Sequence, residues 1–159
     1  VTATLAAMLP HLAHQAVFGA IAAAGFGVLF NFGGRALAWC AVAGALALAV
    51  RTLVQQFGGS LEAATFLAAI ATSCAAIISR RWLGPPCHAI ALAGCIPMVP
   101  GAFLGQAMLG YMAAAADTSG ASTAAIVASS QAFVRVLSIV GSIGAGLAIP
   151  AYLLKSKHF

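Results

Sequence analysis

The stretch "CIPMVPGAFLG", residues 95–105, places Pro97, Pro100 and Gly101 inside an otherwise apolar run. Proline lacks a backbone N–H and its ring clashes with the preceding turn, so it breaks or kinks a helix. Two prolines three residues apart, followed by glycine, interrupt any helix drawn through this segment. The surroundings decide what the interruption means. Of the residues, 63% are hydrophobic and only 6% are charged, against about 25% charged in ordinary soluble domains. So few charges cannot cover a globular surface, and lipid must be the main solvent. Apolar stretches close to the roughly 20 residues that cross a bilayer recur along the whole chain. The composition therefore implies an all-α integral membrane protein, a bundle of about five transmembrane helices with the fourth interrupted at the Pro-x-x-Pro-Gly stretch.

The spans read as about 12–30, 36–54, 61–79, 88–116 and 123–154, all within one transmembrane domain covering 1–159. Pro10 marks the start of the first. "NFGGR" opens the second, "FGGS" separates the second from the third, and "RRWLGPP" follows the third. With five crossings the termini lie on opposite sides. Arg35, Arg80, Arg81, Lys155 and Lys157 then share one side, and Arg51 lies on the other with Glu62 and Asp117. Positive charge marks the cytoplasmic face, which puts the N-terminus outside and the C-terminus inside.

A net charge of +5 points to nucleic acid in a soluble protein. Here the basic residues stand singly at segment ends, without a basic helix or aromatic interleaving, so nucleic acid is not expected as a partner. Cys40, Cys74, Cys87 and Cys95 form no Cys-x-x-Cys pair and read as small buried hydrophobes rather than as disulfides or a zinc site. No metal or other cofactor is implied. Glu62 and Asp117, the only carboxylates, sit in separate outward loops, and no Ser/His/Asp or Cys/His arrangement occurs. The chain does not read as an enzyme.

Polar residues inside the spans are the candidates for function. Gln131, Arg135, Ser138 and Ser142 follow spacings of four, three and four, so they share one helix face. An arginine at membrane depth usually faces a partner or a watery cavity, and this stripe reads either as a cavity wall attracting an anion or as an arginine snorkelling to the outer headgroups. His11 and His14 stand one turn apart with Gln15 beyond, without a nearby carboxylate or cysteine for a metal. They read as interfacial, with proton handling the sharper alternative. Thr65, Thr72 and Ser79 recur every seven residues and predict hydrogen bonds between helices. Gly101-x-x-x-Gly105 and the series Gly141, Gly144, Gly146 have the spacing of helix-packing faces, which also allow copies of the chain to pair.

The fourth segment spans about 29 residues, or roughly 43 Å of helix, more than a hydrocarbon core of about 30 Å needs. Irregular backbone at that depth survives when it is buried in protein or lines a watery cavity. Transporters use broken helices in this way, placing free backbone groups at a substrate site. Residues 96–101, including Pro97, Met98, Pro100 and Gly101, are thus candidates for a substrate path, with Gln106 one to two turns beyond.

The stretches "FNFGGRALAWCAVAG" (30–44), "IPMVPGAFLGQAM" (96–108) and "LSIVGSIGAGLAIPAYL" (137–153) resemble the threonine/serine exporter family, in its small-subunit or C-terminal-half form. The resemblance runs from about Gly25 to Leu154. It implies a secondary exporter of small polar metabolites of the threonine/serine kind. It also implies a larger partner subunit carrying the complementary membrane half, placement in the bacterial inner membrane, and alternating access. Some family members are associated with dicarboxylates such as succinate, which stands as the alternative cargo. A non-transporting scaffold subunit is the competing class, and it leaves the broken helix unexplained. The family's Pro-x-x-Pro-Gly feature falls on Pro97, Pro100 and Gly101, and its Asn and Arg at the start of the second span on Asn31 and Arg35. Arg135 is not a family hallmark. A five-span first half that starts inside ends outside, so the two halves would be inverted repeats.

Overall fold

The computed structural model of the protein describes residues 2–83, 87–116 and 123–155, with side chains for 8–80, 82, 87–116 and 123–154. Asp117, Lys157 and the side chains of Arg81 and Lys155, which enter the orientation count, lie outside the described set. The elements are α1 (Thr2–Leu29), α2 (Gly34–Gln56), α3 (Leu61–Ile78), α4 (Arg80–Leu83), α5 (Cys87–Cys95), a 3₁₀ turn (Ile96–Met98), α6 (Gly101–Ala116) and α7 (Thr123–Lys155). No strand occurs among the described residues. Among the described residues four helices are long and apolar enough to cross a membrane: Met8–Leu29, Gly34–Gln56, Leu61–Ile78 and Thr123–Leu154. The broken pair Cys87–Met98 and Gly101–Ala116 makes a fifth when taken as one crossing. The protein is the all-α membrane protein, interrupted at its fourth span, that its composition predicts.

Local chemistry sets the helix ends. Asn31 has φ 56°, in the left-handed region where asparagine is tolerated better than most residues. Its N–H bonds the Val28 carbonyl at 2.9 Å and the Phe32 N–H bonds that of Gly27 at 3.0 Å, the two bonds of a Schellman C-cap. The same device recurs at α2. Gly58, at φ +84°, donates to Gln55 and Gly59 donates to Val54, both at 3.0 Å. Ser60 then caps α3, its Oγ accepting from the Ala63 N–H at 3.1 Å. One proline differs from its sequence reading. Pro10 lies inside α1 rather than at its start, because a proline removes a single hydrogen bond and a long helix runs on across it.

The chain divides into two compact units, Val1–Met98 with Ser142–Phe159, and Val99–Gly141. In the first, α1 packs on α2, and α2, α3 and α5 pack on one another. Small residues make these approaches possible. Gly19 on α1 faces Gly44 on α2, Gly94 on α5 rests on Ala43, and Gly146 on α7 rests on Ala69 and the Phe66 carbonyl. Cys40, Ala43, Ile90 and Ala93 form a buried cluster, joined at its edge by Phe32, Ala36 and Trp39. All four cysteines are free thiols. The hydroxyls of α3 follow the expected pattern in part. Thr65 and Thr72 donate to the Leu61 and Ala68 carbonyls of their own helix, at 2.7 and 2.8 Å, a bond always within reach of a helical threonine. Thr72 also makes a side-chain hydrogen bond with Cys95 on α5, the link between helices that its spacing predicts. Ser73 makes another, donating to the Leu147 carbonyl at 3.0 Å.

In the second unit α6 lies beside the first half of α7. Phe103 meets Arg135, Gly110 meets Ser129, and the Tyr111 hydroxyl donates to Ser130 Oγ at 3.0 Å. The pairs run in opposite order along the two helices, so the helices are antiparallel. Among the described residues the buried set consists mostly of small residues, alanine above all, while Phe18, Ile21, Leu29, Leu109 and Met112 are exposed. Small residues inside and large apolar residues outside is the pattern of helices solvated by lipid.

Candidate functional site

The site begins with the proline pair. Pro97 and Pro100 have no N–H to offer the Ala93 and Ile96 carbonyls, so the α-helical ladder of α5 cannot run on. The chain tightens into the 3₁₀ turn at Ile96–Met98, and the Gly101 N–H turns back to the Val99 carbonyl at 2.9 Å before α6 proceeds. The Met98 side chain is fully buried. Its carbonyl accepts a hydrogen bond at 3.2 Å from Nη1 of Arg51 on α2. A guanidinium from a neighbouring helix thus satisfies backbone that the break leaves open, as irregular backbone inside a membrane requires.

Arg51 also lines a cavity. The Schellman cap at Asn31 folds α2 back along α1, so the early turns of α1 meet the late turns of α2. Between them, and closed on one side by Pro97, lies a cavity of about 470 Å³ lined by His11, Gln15, Leu48, Arg51, Thr52, Gln55, Gln56 and Pro97. That volume falls within the roughly 300–1,000 Å³ of small-molecule sites. Six of these eight residues are polar or titratable, which is unusual for a wall cut into membrane-spanning helices. Arg51 is its permanent cation, since arginine stays protonated in proteins, and no carboxylate among the described residues lines it. Thr52 is buried. Gln56 is half-buried, and its Oε1 is fully buried with no hydrogen-bond partner among the described residues.

The residues singled out by sequence distribute unevenly about this cavity. Pro97 lines it and Met98 is tied to it through its carbonyl. Asn31, exposed at the α1 C-cap, and Arg35, exposed in the first turn of α2, stand at the far end of that helix. Sixteen residues separate Arg35 from Arg51, about 24 Å of helix, so the structure does not bring them to the same place. In the other unit, Pro100 is buried, Gly101 opens α6, and Gln106 is exposed one turn on. Gln131, Arg135 and Ser138 are exposed on α7 and Ser142 is half-buried. The Arg135 guanidinium lies over the Phe103 ring, 5.2 Å from its centroid, a cation–π arrangement.

The two histidines part company. His11 lines the cavity, while His14 lies against the Phe18 ring with centroids 4.6 Å apart. Arg51 and the polar residues after it were missed as a site. The run "RTLVQQ" does carry a signal: Arg51 and Gln55, and Thr52 and Gln56, are each four apart and share adjoining strips of one helix face. Reading it required knowing that His11 and Gln15 sit opposite. Among the described residues no group of three His, Cys, Asp or Glu is placed to hold a metal.

A multi-pass membrane protein with a polar cavity at the break in one of its helices has the architecture of a transport protein. Residues 15–153 match the family described as Threonine/Serine exporter, ThrE, and the chain belongs to that family. The family is one of transporters rather than enzymes. No solved structure matches the chain.

Proposed function

We propose that this chain is the smaller membrane half of a secondary exporter of threonine, serine or closely related small polar metabolites. It works with a larger subunit that carries the complementary half, in the bacterial inner membrane, by alternating access. The single observation that carries this reading is the polar cavity set against the proline break and joined to it by the Arg51–Met98 hydrogen bond. A packing kink needs no such cavity, whereas a translocation path needs polar groups beside backbone that can rearrange. The substrate path proposed here contains Pro97, Met98, Pro100 and Gly101, with the α2 wall supplying the polar contacts. Asn31 and Arg35 belong to the opposite end of α2, where they suit a gate on the other face better than the cavity. With the N-terminus outside and the C-terminus inside, the cavity lies in the outer half of the membrane, on the release side for an exporter.

The test is efflux from cells that lack native exporters, preloaded separately with threonine, serine and succinate. The chain is expressed alone and together with the larger subunit. Efflux of threonine or serine only when both are present is the expected result, and efflux of succinate alone would move the cargo to dicarboxylates. An assembled complex that exports none of the three refutes the exporter reading and favours a scaffold. A Pro97→Ala/Pro100→Ala double variant that assembles is expected to lose most efflux, and normal export by it removes the break from the path.

A further inference from the structure

Arginine has five N–H donors, and Arg51 gives one of them to the Met98 carbonyl. It stands within a membrane-crossing helix, five residues from that helix's end, in a cavity that no carboxylate among the described residues lines. A cation so placed bears a desolvation penalty that an entering anion relieves. The planar guanidinium suits a carboxylate in particular, because its parallel N–H groups match the two oxygens. The cavity thus calls for a small carboxylate.

His11 completes the wall from α1. Histidine is the side chain whose charge ordinarily changes between about pH 5 and 8. The elements packed against α1 are α2, α5 and the 3₁₀ turn. Their charged and titratable groups are Arg35, Cys40 and Arg51 on α2 and Cys87, His88 and Cys95 on α5, with none on the turn. Of these only Arg51 lines the cavity with His11, and His14 on α1 itself lies against Phe18 instead. The cavity therefore sets one permanent cation beside one histidine.

We propose that this cavity binds the carboxylate of the exported metabolite at Arg51, and that the proton on His11 sets how tightly the anion is held. The proposal rests on the exporter reading above and adds to it the ligand chemistry and the proton-carrying residue. With His11 protonated the cavity holds two cations and favours the anion. Once the proton leaves, one cation remains and the anion is released more readily. Proton movement and carboxylate movement are thereby linked through one cavity of this chain.

The experiment is calorimetric binding to the full chain in lipid nanodiscs, independent of efflux, with L-threonine, L-threoninamide and succinate as probes. For the wild type, threonine affinity is expected to fall about five- to tenfold between about pH 5.5 and about pH 8.5, the effect of one unit charge at contact range in a partly solvated site. Threoninamide, which lacks the carboxylate, is expected to bind at least about tenfold more weakly than threonine at the lower pH. His11→Gln should bind threonine with the affinity of the high-pH wild type at every pH, while His14→Gln keeps the wild-type slope. Arg51→Gln should lose binding. Arg51→Lys, which keeps the cation and a donor for Met98, should retain part of it and so separates lost recognition from lost folding. Equal binding of threonine and threoninamide overturns the carboxylate site, as does failure of both threonine and succinate to bind. A wild-type pH slope in His11→Gln overturns the proton assignment. None of these results touches the exporter reading, which stands or falls on the efflux assay.

Discussion

The approach of α1 to α2 at Gly19 and Gly44 is the contact on which the cavity depends, and Gly19→Ala tests it. A methyl carbon at Gly19 would stand 2.5 Å from the Gly44 carbonyl oxygen and 2.9 and 3.0 Å from Cδ1 and Cγ of Leu48. Leu48 can turn aside, but the carbonyl belongs to the backbone of α2 and cannot. Restoring an ordinary contact of 3.4 Å requires the two helices to separate locally by about 0.9 Å, the difference between 3.4 and 2.5 Å. A gap of that size forfeits a quarter to a half of the dispersion attraction across the affected contacts, and forced overpacking costs about 1–3 kcal/mol. Gly25→Ala is the matched control, since a methyl there meets nothing within 4 Å. Both changes carry the same gain in helix propensity, so it cancels in the difference. Gly19→Ala should be less stable than Gly25→Ala by about 1–3 kcal/mol, measured by reversible unfolding in mixed detergent micelles followed by circular dichroism. The same separation moves His11 and Gln15 away from Arg51 and Thr52, so threonine affinity should fall as well. If Gly19→Ala proves as stable as Gly25→Ala, the close approach of α1 and α2 is wrong, and the cavity between them loses its basis.

Two further changes probe the frame around the site. Ser73→Ala removes the hydrogen bond from α3 to the Leu147 carbonyl and should cost about 0.5–1.5 kcal/mol in the same unfolding assay, whereas no loss would mean that α7 does not rest on α3 through this bond. Asn31→Gly should leave stability nearly unchanged because φ 56° suits glycine. Asn31→Val should cost about 1–2 kcal/mol through its crowded Cβ, and equal stability of the two variants would argue against the left-handed cap.

The amino-acid sequence alone determined the solvent, the class and the interruption. A chain with 6% charged residues has too little polar surface to face water, and that conclusion needs no coordinates. Pro97 and Pro100 remove two ladder bonds within one turn and Gly101 follows them, an interruption that single prolines such as Pro10 and Pro150 do not make, so the break was legible as chemistry. The stops at "NFGG" and "FGGS" were legible too, because asparagine and glycine are the residues that occupy a left-handed cap at least cost. Other features were decided only when helices met. Thr72 meets the Cys95 thiol of α5 as well as its own i−4 carbonyl, whereas the Thr65 hydroxyl turns back to its own i−4 carbonyl. Which hydroxyl reaches a neighbour depends on the rotation of α3 about its axis, and that is set by the packing of its Ala69 against Gly146 of α7. His11 and Arg51 are forty residues apart in the sequence and carry no mutual spacing signal. They share a cavity because the cap at Asn31 folds α2 back along α1 and because Gly19 and Gly44 let the two backbones close. Periodicity reports which residues share a face of one helix, but the partner opposite that face is chosen by the shape of two surfaces, which exists only in the folded protein.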